Sequence, residues 1–161
     1  MADRTLTISW EDPAELAARA HGSGGLDFLR LIASGELPRA PIQDLVGFDL
    51  VEVDEGRVVF AAEPGEQHYN PIGVVHGGLA ATLLDSAMGA AVHSTLPQGS
   101  AYVTLEVNLN LVRAITAATG RILAEGKVIH GGKTVATVEG TLRSEEGGAL
   151  LAHGTSTCLI R

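Results

Sequence analysis

The chain has 161 residues, of which 45% are hydrophobic and 19% charged, a composition typical of one folded globular domain. Its formal net charge of −8 argues against a general nucleic-acid binder, because neutralising phosphates requires clustered Lys and Arg. The single cysteine, Cys158, excludes an intrachain disulfide.

The first residues of the chain, from Met1 to Trp10, show no basic region followed by an apolar block, so we expect no secretion signal. No run without a charge is long enough to span a membrane. These features favour a cytoplasmic protein, and they predict neither a membrane nor a nucleic acid as partner.

Two helices are predicted near the start of the chain, over residues 11–20 and 26–33, because both segments have helical composition. The glycine-rich segment His21–Gly25 between them is expected to end the first helix. Two prolines within Leu37–Pro41 then break the chain. We expect residues 1–40 to form an N-terminal helical extension and residues 41–161 to form the main domain.

The main domain begins with a predicted hairpin, made of residues 47–53, a turn at Glu55 and Gly56, and residues 57–62. A loop and one long apolar helix over residues 78–92 follow. Four β-rich segments come last, near residues 101–112, 119–129, 133–143 and 149–160. This order predicts an α+β fold with an antiparallel six-stranded sheet wrapped round one central helix. Because one helix cannot cover every apolar position of such a sheet, we expect an interface with a second copy of the chain.

One carboxylate, Asp85, lies inside the apolar helix. The segment 78–92 has helix formers on every side, so we expect other structure to enclose the helix and Asp85 to be buried. A buried Asp is either satisfied by neighbouring hydroxyl groups and backbone donors or held for function, and both interpretations stay open here.

The loop before the helix, residues 68–78, contains Pro71, Gly73 and the pair Gly77-Gly78. If the helix begins at the diglycine, its first N–H groups lack acceptors and lie at the positive end of the helix dipole. Such a terminus suits a carbonyl oxygen that becomes an oxyanion, and glycine lets a substrate approach the backbone. Taken alone, a diglycine is usually a turn and His76 is usually a structural residue.

The ordered pattern Asn70-x-x-Gly73-x-x-His76-Gly77-Gly78, followed by Leu83-x-Asp85, resembles the hot-dog-fold acyl-CoA thioesterases of the phenylacetate-pathway type. The resemblance extends from about Leu45 to the end of the chain. It implies the hot-dog fold and hydrolysis of an aryl- or medium-chain acyl-CoA. No cofactor is implied, since coenzyme A belongs to the substrate.

Residue roles follow from the same resemblance. The Gly77 N–H would polarise the thioester carbonyl, Asp85 would act as general base or nucleophile, and Asn70 would orient a reactant. His76 and Gly78 would brace the loop. Thr104 falls where related enzymes carry a hydroxyl that holds the hydrolytic water, although a plain strand threonine is an equal alternative.

A branch of the family that uses Glu as the acid carries Thr one helical turn later, where this chain has Gly89. The Asp branch, with Thr104 supplying the hydroxyl, is therefore favoured. The resemblance also implies a homodimer that pairs into a homotetramer. In such a dimer the Asn70–Gly77 loop of one subunit would face Asp85 and Thr104 of its neighbour.

Two further sites are candidates for holding coenzyme A. The segment His130-Gly-Gly-Lys-Thr134 lacks the first glycine and the helix of a nucleotide-triphosphate loop, so it is either a glycine hairpin or a backbone nest. As a nest, Gly132, Lys133 and Thr134 would hold part of the coenzyme. Arg113, at a strand end, is either a phosphate ligand or an exposed solubilising residue.

Other chemistries find less support. The chain has no Gly-x-Ser-x-Gly segment and Cys158 has no identifiable activating partner, so a covalent Ser or Cys enzyme is not expected. Short His or Cys ligand spacings are also missing, so we expect no metal site. Two alternatives stay open: a hot-dog dehydratase acting on acyl thioesters, and a non-catalytic acyl-CoA-binding protein.

Overall fold

The computed structural model describes residues 4–161. Its first two helices are α1, Pro13–His21, and α2, Gly25–Ala33, as the sequence predicts. The Asp12 side chain accepts a hydrogen bond from the Ala14 N–H at the start of α1. Helix α2 packs against the main domain, and its Phe28 and Leu29 belong to the hydrophobic core. The division into residues 1–40 and 41–161 stays a prediction.

A short third helix, α3, spans Pro41–Val46 and was not predicted from the sequence. Pro41, which we interpreted as a break, occupies the first turn of this helix, where its missing N–H costs no hydrogen bond. The helix ends at Gly47, which has a φ of 80°.

The main domain has the predicted order of elements. The hairpin strands β1 and β2 and the long helix α4 span Phe48–Asp54, Arg57–Ala62 and Gly77–His93. Strands β3, β4, β5 and β6 span Tyr102–Leu111, Ile122–Gly131, Val135–Ser144 and Leu150–Ile160. Short 3-10 turns occur at Glu66–His68 and Ala117–Thr119.

The six strands form one antiparallel sheet in the order β1-β2-β4-β5-β6-β3. Strand β1 is one edge and β3 is the other. The sheet curls round α4, which contacts β2 through β6. The hot-dog fold expected from the sequence is therefore present.

Glycine allows the closest approach between helix and sheet. A Cβ atom at Gly126 of β4 would lie 2.3 Å from the Ala87 carbonyl oxygen of α4, so no larger residue fits there without movement. Met88, fully buried, packs beside Gly140 of β5. These contacts at Gly126 and Gly140 set how closely α4 approaches the sheet, and therefore how Asp85 is positioned relative to the strands.

Between residues 4 and 161, no helix has both the length and the apolar character needed to cross a bilayer.

Candidate active site

Asp85 and Thr104 meet where α4 crosses the edge strand β3. The Thr104 hydroxyl donates a hydrogen bond of 3.1 Å to Oδ1 of Asp85. Thr104 is half-buried. The sequence allows two interpretations of Thr104, a site hydroxyl or a plain strand residue. Its position beside Asp85 is the one expected for a site hydroxyl.

A β-bulge sets the direction of Thr104. Thr104 pairs with Cys158 of β6 but Glu106 pairs with Thr157, so Leu105 is the extra residue. The bulge keeps Thr104 on the inner face of the sheet, together with Val107 beyond it, and leaves Glu106 on the outer face.

The expectation that Asp85 is buried is wrong for the single chain, because Asp85 is exposed. It lies on a stripe of α4 that the sheet does not cover, which we call the open stripe. Its members are small or polar and are exposed or half-buried: Gly77, Gly78, Ala81, Thr82, Asp85 and Ser86. The stripe is open because the sheet ends beside it, at β3. The apolar composition of the helix concealed this face, since Gly and Ala carry little hydrophobic periodicity.

The loop before α4 is held by its own hydrogen bonds. Oδ1 of Asn70 accepts from the N–H groups of Ile72 and Val74, at 3.1 and 3.3 Å. Gly73 adopts a φ of 84°, a conformation that other residues rarely take. Asn70 is therefore a brace of the loop, and a role of its side-chain NH₂ in orienting a reactant stays a prediction.

His76 caps the central helix. Its Nδ1 accepts a hydrogen bond of 2.8 Å from the Gly78 N–H, and its carbonyl accepts one from Leu79. A Cβ atom at Gly78 would lie 2.8 Å from that same Nδ1, so glycine permits the cap. His76 and Gly78, the two residues predicted to brace the loop, are thus joined by a hydrogen bond at the start of α4.

The His76 cap engages the Gly78 N–H but not the Gly77 N–H. Within residues 4–161 it has no hydrogen-bond acceptor. It borders a cleft of about 250 Å³ that Asn70, His76, Leu111 and Arg113 also line. A bare N–H at a helix N-terminus, facing a cleft, is the arrangement expected for polarising a carbonyl.

One chain does not bring all four predicted catalytic residues together. Asp85 lies eight positions after Gly77 on α4, about 12 Å along the axis by helical rise. Thr104 and Asp85 therefore form one half of the predicted site, and Asn70 and Gly77 form the other.

The candidate coenzyme ligands lie at opposite ends of the sheet. Arg113 is exposed and lines the cleft beside Gly77. Gly132, Lys133 and Thr134 form the hairpin between β4 and β5, closed by a 2.9 Å bond from the Gly132 N–H to the Val135 carbonyl. The hairpin interpretation is thereby confirmed in geometry, and coenzyme binding at either place stays a prediction.

Sequence reasoning missed three residues near these groups. The side chain of Leu111 lies over Gly77, where an added Cβ would be 2.6 Å from its Cδ1. His68 supports the loop through its carbonyl, which accepts from the His76 N–H at 2.8 Å. The ring of Tyr102 packs on Gly89, one helical turn beyond Asp85. The contacts of Leu111 and Tyr102 leave no signal in the local pattern, because each joins segments distant in sequence.

Tyr102 and His93, which lie further along the same side of α4, have displaced pKa values. Burial, and secondarily the charge of Asp85, raises the pKa of the Tyr102 phenol, so the hydroxyl stays protonated. Burial, and secondarily the charge of His21, lowers the pKa of His93. Neither ring nitrogen of His93 has a hydrogen-bond partner within residues 4–161.

A larger cleft, of about 720 Å³, lies away from this site, between the N-terminal segment, α2 and β1. Arg39 lines it and is ion-paired with Asp44 and Asp49. Because Arg39 engages the carboxylates of Asp44 and Asp49 at this cleft, we assign no chemistry to it.

The family model described as "Thioesterase superfamily" matches residues 72–151, which include Gly77, Asp85 and Thr104. Human acyl-coenzyme A thioesterase 13 is 32% identical over 108 residues, which cover 67% of this chain and 76% of the human protein. The chain belongs to the thioesterase superfamily. It is a thioester hydrolase with the hot-dog fold.

Two further relatives match this chain over different fractions of their own length. A putative esterase of Halobacterium salinarum is 42% identical over 76 residues, which cover 47% of this chain but only 46% of that protein. The structure of a putative thioesterase of Ralstonia eutropha, described as related to phenylacetic acid degradation, superimposes with a TM-score of 0.73 at 28% identity. That match covers 81% of this chain and 98% of the Ralstonia chain.

Proposed function

We propose that the protein hydrolyses the thioester of an aryl- or medium-chain acyl-CoA to the free acid and coenzyme A. The observation that carries the proposal is the pairing of Asp85 with Thr104 on the open stripe, with the Gly77 N–H left bare on the same helix. The human relative is named for acyl-CoA, and the Ralstonia protein for phenylacetic acid degradation. Both names fit this substrate class.

The site is completed by a second copy of the chain. Strand β3 is an edge of ten residues whose outer N–H and C=O groups have no strand partner within residues 4–161. Leu105 and Leu111 on this strand expose 59% and 57% of their surface. A long apolar edge beside the open stripe favours pairing with another strand, and an antiparallel pair of β3 strands is self-complementary.

The register of this pairing follows from the two half-sites. Thr104 lies beside Asp85, and Leu111 lies beside Gly77. The two half-sites therefore come together when Thr104 lies opposite the partner subunit's Leu111. Leu105 is left out of the count because it is the extra residue of the bulge. Counting inward from the pair of Thr104 and the partner subunit's Leu111 then places Asn108 opposite Asn108 of the partner subunit.

Two features agree with this register. Every opposed pair has both side chains on the same face of the sheet, as antiparallel pairing requires. Glu106 lies opposite Asn110 of the partner subunit, an acceptor opposite a donor. A register centred on Glu106 would instead oppose two carboxylates.

In this dimer the thioester carbonyl accepts a hydrogen bond from Gly77 of the partner subunit, and Asp85 acts at the carbonyl carbon. In the general-base route, Asp85 takes a proton from water as the water oxygen bonds to that carbon. The C–S bond then breaks, and the thiolate leaves and takes up a proton. In the nucleophilic route, an Asp85 oxygen attacks, the thiolate leaves, and water hydrolyses the mixed anhydride.

Heavy-oxygen water separates the two routes. In a single turnover, the general-base route places the label in the released acid. Direct attack followed by hydrolysis at the aspartyl carbon places it in Asp85. Both routes are written without a metal or cofactor, and coenzyme A is counted as part of the substrate.

For the coenzyme, we propose Arg113 of the partner subunit and the Gly132–Thr134 hairpin. Ile160 donates to the Thr134 carbonyl, and Tyr102 of β3 pairs with Ile160, so the hairpin lies at the Thr104 end of the sheet. In the proposed register, Arg113 of the partner subunit approaches the same end. A local cation is needed there, because the chain is acidic overall and the coenzyme is an anion.

The dehydratase alternative depends on a catalytic histidine near the helix acid. Nδ1 of His76 is occupied by the Gly78 N–H. This geometry favours hydrolysis. The further pairing of dimers into a homotetramer and a cytoplasmic location remain predictions.

The test is a thiol-release assay across aryl- and alkyl-CoA thioesters, with Asp85→Asn as the inactive variant. We expect the wild-type protein to release thiol and the variant to lose about 100-fold to 10,000-fold in kcat, the usual contribution of a positioned acid or base. Glu139→Gln, an exposed carboxylate on β5, is the matched control and is expected to retain activity. Ligand binding without thiol release by the wild-type protein would favour the non-catalytic alternative.

A further inference from the structure

A small cavity lies beneath the N-terminal helix α1, beyond the start of β3. Its volume is about 160 Å³. It is lined by residues of α1, of the end of α4 and of the approach to β3: Ala17, Ala20, His21, His93, Ser100, Ala101 and Tyr102. It is partly open to solvent, and a space of about this volume is large enough for one benzene ring. Because α1 precedes residue 72, this wall lies outside the part of the chain that matches the family model.

Tyr102 stands between this cavity and Asp85. Asp85, Gly89 and His93 follow one another at four-residue intervals on α4, so they lie on successive turns of roughly one face. The Tyr102 ring packs directly on the middle one: a Cβ at Gly89 would be 2.4 Å from the Tyr102 hydroxyl oxygen and 2.8 Å from Cε2. Tyr102 also lines the cavity, and its ring centroid lies 5.9 Å from that of His93.

Along β3, Tyr102 is also the neighbour of Thr104 on the inner face, since their partners Ile160 and Cys158 are two residues apart on β6. The Tyr102 ring is therefore the next side chain after the Asp85–Thr104 pair in this direction between α4 and β3. The absence of a side chain at Gly89 makes room for the ring against the helix.

We propose that Tyr102 is a specificity-determining residue that closes the acyl slot at its inner end, and that the cavity beyond it, walled by α1, is an extension of that slot from which the ring separates it. The proposal rests on the proposed function, because it assumes that the acyl group enters between α4 and β3 from Asp85. With Tyr102 in place, the slot accepts short or single-ring acyl groups. Without the ring, the slot joins the cavity and accepts longer ones.

The cavity wall offers an independent way to reverse this effect. Ala20 is a small, half-buried residue of α1 that faces the cavity. A leucine there would refill space that the loss of the Tyr102 ring opens, without touching Asp85, Thr104 or Gly77.

The experiment measures kcat/KM over a homologous series of straight-chain acyl-CoAs for four proteins: wild type, Tyr102→Ala, Tyr102→Phe, and Tyr102→Ala combined with Ala20→Leu. We expect Tyr102→Ala to move the optimum to longer chains, with a gain of about tenfold for a chain extended by two buried methylenes. Tyr102→Phe keeps the ring and is expected to keep the wild-type optimum. The double variant is expected to return toward that optimum.

An unchanged optimum in a folded Tyr102→Ala protein overturns the proposal, and so does a shift in Tyr102→Phe, which would assign the effect to the hydroxyl. A double variant that behaves like Tyr102→Ala would show that the slot does not extend under α1. If Tyr102→Ala does not fold, Tyr102→Leu replaces it, since leucine is apolar and lacks the ring that lies on Gly89. A wild-type protein inactive on every thioester would contradict the proposed function, and this outcome is visible before any variant is compared.

Discussion

The hydroxyl of Thr104 donates to the carboxylate of Asp85 across 3.1 Å, and this bond joins the edge strand β3 to the central helix. The two residues lie 19 positions apart in sequence, and the β-bulge at Leu105 directs Thr104 toward the helix. The bond engages one carboxylate oxygen of Asp85, and the proposed reaction uses the other. The bond also places the acid on the side of α4 that a second β3 strand would cover.

Replacing Thr104 with valine removes the hydroxyl and keeps the shape of a β-branched strand residue. A hydrogen bond to a charged group typically contributes enough to change a rate by roughly tenfold to a hundredfold. We therefore expect kcat to fall by about that factor in Thr104→Val. Thr104→Ser, which keeps the hydroxyl, should retain most of the activity. Equal losses in both variants would mean that the hydroxyl has no part in turnover.

Gly77 can be changed in two ways that separate its N–H from its small size. It is the first residue of α4, and His76 before it has φ −61° and ψ 134°, a backbone that suits the residue before a proline. Gly77→Pro therefore removes the donor with little cost to the helix. Loss of one such donor is expected to lower kcat by about 100-fold to 1,000-fold.

Gly77→Ala is the matched control, because it keeps the N–H and adds a Cβ that meets only the flexible end of the Leu111 side chain. We expect a smaller loss in this variant than in Gly77→Pro. If steady-state kinetics show the two variants equally impaired, crowding rather than the N–H explains the role of Gly77.

The register of the proposed dimer predicts a specific disulfide. Asn108 is exposed on the outer face of β3 and lies opposite its own copy, where Cβ atoms of directly paired residues are about 5 Å apart. Asn108→Cys should form a covalent dimer under mild oxidation, seen on a non-reducing gel. The native Cys158 is buried and should not contribute.

Asn110→Cys tests the register itself. In the proposed pairing the two copies of residue 110 are offset by four positions along the strands, about 13 Å, which is too far for a disulfide. Efficient cross-linking at position 110 instead of 108 would show that the strands pair differently.

The lowered pKa of His93 predicts that stability falls on acidification. Burial keeps the folded His93 neutral, whereas the unfolded His93 takes up a proton near its ordinary pKa of about 6.5. The stabilising contribution is therefore complete above that pH and is lost as pH falls through the lower pKa of the folded state. Denaturant titrations at pH 7.5 and pH 5 should show a smaller difference for His93→Leu than for the wild type. His153→Gln, an exposed histidine, should keep the wild-type difference.

Much of this architecture could be predicted from local sequence. The alternation of the strands, the glycines after α1 and the length of the apolar run gave elements that agree with the structure to within a few residues. The order of these elements and the loop motif together predicted the hot-dog fold. Helix α3 was not predicted because six residues are too few to show periodicity, and because a proline at the start of a helix resembles a break.

The site was harder to predict, for two physical reasons. Contacts such as that of Tyr102 with Gly89, or of Leu111 with Gly77, depend on how far α4 sinks into the sheet, and no local pattern encodes that depth. The expected burial of Asp85 failed for the single chain because a helix rich in Ala and Gly carries no signal that distinguishes a face covered by its own sheet from one left open.

In the proposed dimer each site combines Asp85 of one subunit with Gly77 of the other, and mixing two inactive variants tests this arrangement. Asp85→Asn and Gly77→Pro proteins are each expected to have little activity alone. Unfolded together and refolded as a mixture, they should form mixed dimers in which one of the two sites has both an intact Asp85 and an intact Gly77. Random pairing should then restore about a quarter of the wild-type activity. If both residues of a site came from the same chain, every site in the mixture would carry a defect, and the mixture would be as inactive as its components.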